Sequence, residues 1–188
     1  MAYWNKFFFI LTISVLGLLS PTSTSQSKFY TKTGNIHLEA SVPSFEEVKA
    51  VGKTMSAVLN AENGEIAALI LVKGFRFKIA LMEEHFNENY AESSTYPKAT
   101  FKGEIKEFVL DKLTDDLHSF PIKGSLYFHG ETVFISDTIT VQKVNKYLLL
   151  KMDMVLNPED FAIKIPKIIR KKVADNVLVS IEMQLEKR

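Results

Sequence analysis

Cysteine is missing from all 188 residues of this chain, which excludes disulfides, thiolate-held metal, a cysteine nucleophile and a cysteine-linked lipid. A surplus of either charge is missing too, since 23 lysines and arginines stand against 22 acids. Nucleic-acid binders carry a marked positive excess, so no nucleic-acid partner is expected. No Gly-x-Ser-x-Gly elbow, phosphate-cradling glycine loop or Gly-x-Gly-x-x-Gly fingerprint occurs, which leaves hydrolase, nucleotide and dinucleotide chemistry without a motif. There is no Asn-x-Ser/Thr acceptor for glycosylation either. Crossing a bilayer takes roughly 20 apolar residues, and the near-continuous run at residues 7–19 is shorter than that.

That run is nevertheless informative. It follows Lys6, and Pro21, Ser23 and Ser25 come after it. This is the pattern of a secretory signal peptide over residues 1–25, with Gln26 as the mature start and a single domain over 26–188. The expected location is the periplasm or the exterior. Loss of Lys6 brings basic and acidic residues to parity. With 46% hydrophobic and 24% charged residues, the chain has the composition of a soluble domain with its own core.

Most of the remaining sequence alternates with period two, the mark of strands with one buried face. Residues 28–33 and 36–42 read as a hairpin around Gly34-Asn35. Ser44 followed by Glu47 fits a capping box for a helical turn over 45–51. Strands 53–60 and 65–72 flank the hairpin pair Asn63-Gly64, the second covered on both faces because Ile66 to Val72 is all apolar. Residues 75–82 alternate again, then a polar insert at 82–105 ends in a strand carrying Ala99, Phe101, Gly103 and Ile105. A connection over 108–120 leads to strands 121–130, 132–144 and 146–156, and Asn157-Pro158 stops the last. A helix over 167–175, begun by Pro166, precedes a closing strand from Val177 to Leu185. Eight or nine strands with short turns and brief helices make an all-β antiparallel protein. Closure into a barrel of about eight strands removes exposed edges, and such a barrel is either filled or holds one small ligand, as in lipocalins. A sandwich is the alternative.

Candidate chemistry is sparse. His37, His85, His118 and His129 have no partner at metal-ligand spacing, and Glu83-Glu84-His85 lacks a second imidazole one turn on. The acid pairs Glu83-Glu84 and Asp115-Asp116 read as solvated faces. His85, Asn87 and Asn89 of the insert are expected to hydrogen-bond local backbone. Two readings compete for Lys164, Lys167, Arg170, Lys171 and Lys172: a solvated helix face complementing the dipole, or a platform for a phosphate headgroup or anionic membrane surface at the barrel rim.

Three landmarks carry a resemblance: residues 82–97, containing His85-Phe86-Asn87-Glu88-Asn89-Tyr90, then Gly124 to Gly130, then Ile163-Lys164-Ile165-Pro166. Their order and spacing resemble the YceI-like family of exported bacterial proteins. The resemblance implies a lipocalin-like barrel that binds a polyisoprenoid or related long apolar molecule without catalysis and without a cofactor, an isoprenoid quinone or fatty-acyl lipid being other candidate cargo. Phe75, Phe77, Phe101, Phe128 and Phe134 are the candidate liners, and Lys164, Lys167 and Arg170 the candidate headgroup or rim residues. His85, Asn87, Asn89 and Tyr90 are taken as structural. Peripheral membrane contact and pairing of two copies stay open as partner modes. Two other hypotheses stand beside the carrier: a structural or stress-related interaction protein with a filled core, and a metal-dependent enzyme using His85 with Glu83, Glu84 or Glu88.

Overall fold

A computed structural model describes residues 27–43 and 45–188. The expected leader and its cleavage site lie outside the described residues. Nine strands follow one another: β1 (Lys28–Glu39), β2 (Lys49–Asn60), β3 (Glu65–Leu71), β4 (Arg76–Phe77), β5 (Lys98–Ile105), β6 (His118–Phe128), β7 (Glu131–Val144), β8 (Tyr147–Leu156) and β9 (Val177–Lys187). One helix, α1 (Ala80–His85), runs into a π-helical turn over Phe86–Tyr90 before β5. Every pairing is antiparallel. Eight strands close in the order β1-β2-β3-β5-β6-β7-β8-β9 back to β1, with the two-residue β4 added beside Ala50 and Val51 of β2. The expected antiparallel barrel is therefore the fold, and the sandwich is not.

The turns follow from local chemistry. Gly64 stands at φ 76° between β2 and β3, and His129 and Gly130 both take positive φ between β6 and β7, the geometry whose twist matches a two-residue hairpin. Pro121 sits inside β6, where a missing amide would ordinarily break a ladder. It is tolerated because β5 stops pairing at Ile105 opposite Ile122, and only the Pro121 carbonyl is used, by the Lys106 amide at 2.8 Å.

Several expectations give way to tertiary pairing. Residues 28–42 are not a hairpin: β1 is one strand with register shifts around Gly34, a bulge in place of a turn. A Cβ at Gly34 would lie 2.8 Å from Met55 Cε, so glycine lets the bulged backbone press on β2. The helical turn over 45–51 is replaced by a bend and the start of β2 at Lys49, whose residues gain ladder partners on β1 and β4; Ser44, the expected cap, lies outside the described residues. β3 is not covered on both faces, for Leu71 is exposed. Strand 75–82 shrinks to β4 because Ala80-Leu81-Met82-Glu83-Glu84-His85 consists largely of good helix formers, and it winds as α1. No helix forms over 167–175. Isolated turns link Ile169 to Pro166 and Lys172 to Ile169, because Lys167 would stack on Arg170 and Lys171 at i+3 and i+4, where like charges repel.

The barrel has two unlike halves. At the end formed by the start of β1 and the end of β9, Phe29, Leu59, Ile105, Phe108, Leu148 and Leu185 pack into a dense floor, with Leu59 and Leu185 wholly buried. The connection between β5 and β6 crosses beneath, tied by the Lys143 amide to the Thr114 carbonyl at 2.9 Å. The other end opens.

Candidate functional site

A cavity of about 550 Å³ occupies the upper half of the barrel. Its walls come from alternate positions on facing strands: Ile36 and Leu38 on β1, Phe101 on β5, Leu126 on β6, Met152 and Met154 on β8, and Ile181 and Met183 on β9. Met152, Met154 and Met183 are buried, whereas Ile36, Leu38, Phe101, Leu126 and Ile181 are partly exposed and border this space. None of the floor residues lines it. The filled-core expectation therefore holds for one half of the barrel and fails for the other.

Glycine makes part of that room. Gly103 and Gly124 lie directly opposite one another on β5 and β6, and a Cβ on either would come within 2.6 Å of Phe101 Cζ. The tip of the Phe101 ring thus reaches into the space that side chains at the two glycines would occupy. Opposite it, Phe86 packs edge-on to Phe75 (5.7 Å, 74°) and against Phe77 (5.1 Å, 45°), forming an aromatic corner that seats α1 on the barrel.

Three mouth segments meet at His129. Its Nδ1 lies 2.8 Å from the Phe161 carbonyl oxygen; a carbonyl only accepts, so Nδ1 carries the proton. Its Nε2 is buried without a hydrogen-bond partner, 3.5 Å from Glu92 Oε1, and the ring packs on Tyr96 at 4.7 Å. The β6–β7 turn, the 3₁₀ turn Pro158–Phe161 and both ends of the loop after α1 are joined there. Phe161 in turn meets Phe128 at 5.7 Å and faces the cavity.

Two loops frame the remaining rim. Residues 40–48 between β1 and β2 bring Phe45 and Val48 to the cavity, and residues 157–176 between β8 and β9 bring Ile163, Ile165, Ile169 and Val173. The Ala174 amide donates to the Ala40 carbonyl at 2.9 Å, joining them.

The expected site residues fall in different places. Phe75, Phe77, Phe101 and Phe128 border the cavity, whereas Phe134 is 66% exposed on the outer wall. The correction has a simple cause: Val133, Ile135, Ile139 and Val141 hold the inward parity of β7, and Phe134 has the opposite one. Tyr90 borders the cavity, and burial pushes its phenol above the ordinary tyrosine range. Asn87 Nδ2 donates to the Glu83 carbonyl at 2.9 Å, as expected of local backbone bonding, while its Oδ1 is buried and unpartnered. His85 departs from that expectation by lining the rim, exposed, with no hydrogen bond among the described residues, and Asn89 is likewise exposed without one. Lys164, Lys167 and Arg170 stand exposed on the outer side of the 157–176 loop, Arg170 being 3.6 Å from Glu159. Phe86, Met152, Met154 and Phe161 were not among the expected liners. Among the described residues no group of three His, Asp or Glu side chains is placed to hold a metal ion, so His85 does not join Glu83, Glu84 or Glu88 in such a set.

Comparisons with known proteins agree with this architecture. A family model described as the YceI-like domain matches residues 19–185. A polyisoprenoid binding domain from Saccharophagus degradans, implicated in plant cell wall breakdown, superposes with a TM-score of 0.75 at 14% identity, covering 87% of this chain and 99% of that one. BcnA of Burkholderia cenocepacia gives 0.66 at 16% identity, over 81% and 95% of the two chains. The YceI protein of Campylobacter jejuni gives 0.63 at 15% identity, over 78% and 89%. Among curated proteins none matches.

Proposed function

The chain belongs to the YceI-like domain family, and from that premise we propose that it is an exported, non-catalytic binding protein holding a long apolar chain in the upper half of its barrel. The single observation that carries this reading is the cavity of about 550 Å³, apolar along nearly all of its wall, open at one end and stopped by a packed floor at the other. Dead-ended apolar space suits the tail of a lipid and offers little to a polar substrate. A polyisoprenoid is the preferred cargo, in keeping with what the Saccharophagus degradans neighbour is described as binding; an isoprenoid quinone or a fatty-acyl lipid has the same tail chemistry.

Energetics favour long tails over short ones. Each methylene removed from water contributes roughly 0.8 kcal/mol, whereas association costs on the order of 4–15 kcal/mol in lost freedom. A tail burying about ten carbons gains about 8 kcal/mol, so only chains reaching well down toward the floor are retained.

The leader-like run at residues 7–19 and the small residues after it support export to the periplasm or to the outside of the cell. Native mass spectrometry of protein purified from its own host, followed by lipid extraction, tests the reading. A bound prenyl or acyl lipid at one per chain is the expected result. Protein that is always empty and takes up no prenyl lipid from detergent or vesicles would sink it.

A further inference from the structure

The rim is not uniform in charge or in polarity. The middle of the 157–176 loop that joins β8 to β9, residues 161–174, contains Lys164, Lys167, Arg170, Lys171 and Lys172 and no acid, Glu159, Asp160 and Asp175 standing toward its ends. All five are exposed, and between them Ile168 projects with 86% of its surface in water. The inner side of the same loop is apolar and faces the cavity, as Ile163, Ile165 and Ile169 do. The loop thus turns Ile163, Ile165 and Ile169 inward but sets Ile168 outside, in the middle of the cations.

Ile168 is not alone. The strands that carry the loop place Val155 and Leu178 opposite each other on the outer wall, 65% and 42% exposed. Through the Ala174–Ala40 hydrogen bond the loop continues into residues 40–48, where Phe45 stands 46% exposed at the mouth. One sector of the mouth therefore presents apolar side chains ringed by ammonium and guanidinium groups. The acids beside it are Glu159, Asp160 and Asp175 toward the two ends of the same loop, Glu159 lying 3.6 Å from Arg170, and Glu46 and Glu47 on the neighbouring loop, Glu47 being held by Lys49 at 3.1 Å. On the far side of the ring, where α1 leads into β5, Glu83, Glu84, Glu88 and Glu92 are balanced by Lys73, Arg76, Lys78 and Lys98, so no cationic surplus stands there.

We infer that this sector docks the barrel, mouth down and tilted onto the 157–176 loop, on an anionic lipid surface. Lysines spread around a protruding isoleucine match a layer of phosphate headgroups over hydrocarbon: the cations meet the phosphates while Ile168, with Phe45 on the adjoining loop, enters the acyl boundary. A flat polyanion would engage the same lysines but would give the isoleucine nothing to bury in. The opposite side, which has no surplus of cations, would stay lifted. The docking goes beyond the carrier reading and draws only its purpose from it, since a tail would then pass between bilayer and cavity without crossing open water.

Flotation of the purified protein with vesicles of phosphatidylcholine alone, and of phosphatidylcholine mixed with phosphatidylglycerol, tests the surface. Association with the mixed vesicles only, weakened by salt, is expected. Replacing lysine by glutamine at 164, 167 and 171 should lower the partition coefficient about fivefold for each charge removed. Ile168→Gln should lower it with the charge unchanged, and Lys123→Gln, on the outer wall of β6, should leave it as it was. Equal binding to neutral vesicles, or a triple variant that binds as the parent does, overturns the inference. So does an Ile168→Gln variant that binds normally while heparin competes fully, an outcome that would assign the patch to a polyanion. Bound lipid, measured on the same samples by native mass spectrometry, reports on the cavity separately: parent protein that docks yet never holds lipid would remove the carrier function and leave the docking surface standing.

Discussion

His129 holds the main-chain carbonyl of Phe161 at 2.8 Å, across 32 residues of sequence. The contact fastens the segment that follows β8 to the tight turn between β6 and β7, and it keeps the Phe161 ring against Phe128 at the edge of the cavity.

Removing that fastening should loosen the mouth more than the barrel. His129→Phe keeps a ring against Tyr96 but deletes the donor, and we expect a loss of about 1 kcal/mol in urea unfolding together with faster release of bound lipid. His129→Ala, which also empties the space beside Tyr96, should cost more. Normal lipid release in both variants would reduce His129 to a packing residue.

The glycine pair in the wall predicts a change of capacity. A methyl group at Gly124 would meet the Lys102 carbonyl oxygen and Gly103 Cα of the facing strand as well as the Phe101 ring, so β5 and β6 must give way locally while the ring is pushed toward the cavity. Gly124→Ala is expected to shorten the longest prenyl chain retained and to destabilise by roughly 1–3 kcal/mol, the usual range for overpacking. Adding Phe101→Leu should restore part of both losses, because the two sites share one volume. Chain-length selectivity read by mass spectrometry decides the matter.

Floor and cavity should respond differently to truncation. Leu185→Ala or Leu59→Ala opens a void in closely packed surroundings and is expected to cost about 2–5 kcal/mol. Phe77→Ala or Met154→Ala on the cavity wall enlarges space that already exists, so a smaller loss of stability should accompany a clear change in lipid affinity. Denaturant midpoints and lipid-binding isotherms on the same four variants separate the two effects.

Tyr90 supplies a pH test. Its phenol is raised by burial, so the folded state keeps the proton more tightly than the unfolded chain does. The corresponding stability is whole below the unfolded-state value of about 10 and declines as pH climbs from there through the higher folded value. Unfolding free energy should therefore fall less steeply over that alkaline window in Tyr90→Phe than in the parent. Parallel pH profiles would show that Tyr90 is freely solvated.

The barrel was legible in the sequence because period-two alternation and turn residues are local signals. Strands β5 to β9 stand close to where alternation puts them. What alternation cannot supply is the direction of the interior: it identifies two faces and leaves open which one is inside. Phe134 is the instructive case, since the odd positions of β7 are the more consistently apolar set and a count over the whole strand, Val133 to Val141, places Phe134 outside. The same count along β8 brings Met152 and Met154 inward between Lys151, Asp153 and Val155. Where pairing partners are far apart, local signals misled: Gly34-Asn35 looks like a turn until β2 and β9 are both beside it. In the insert, the helix-forming composition of residues 80–85 was the usable signal, and it was overridden by the alternation that ends at Phe77. His129 could not be ranked above the other histidines from sequence, because Phe161, Glu92 and Tyr96 reach it only through the closed barrel.

The separation of a packed floor from a hollow upper half has an evolutionary consequence. The residues that keep the barrel closed and those that set its volume share strands but not positions, so a lineage can substitute Leu126, Met152 or Ile181 while Leu59, Leu148 and Leu185 hold the scaffold together. Cargo preference can drift one side chain at a time without the chain having to rediscover its fold, and proteins that share little more than alternation can still superpose over most of their length.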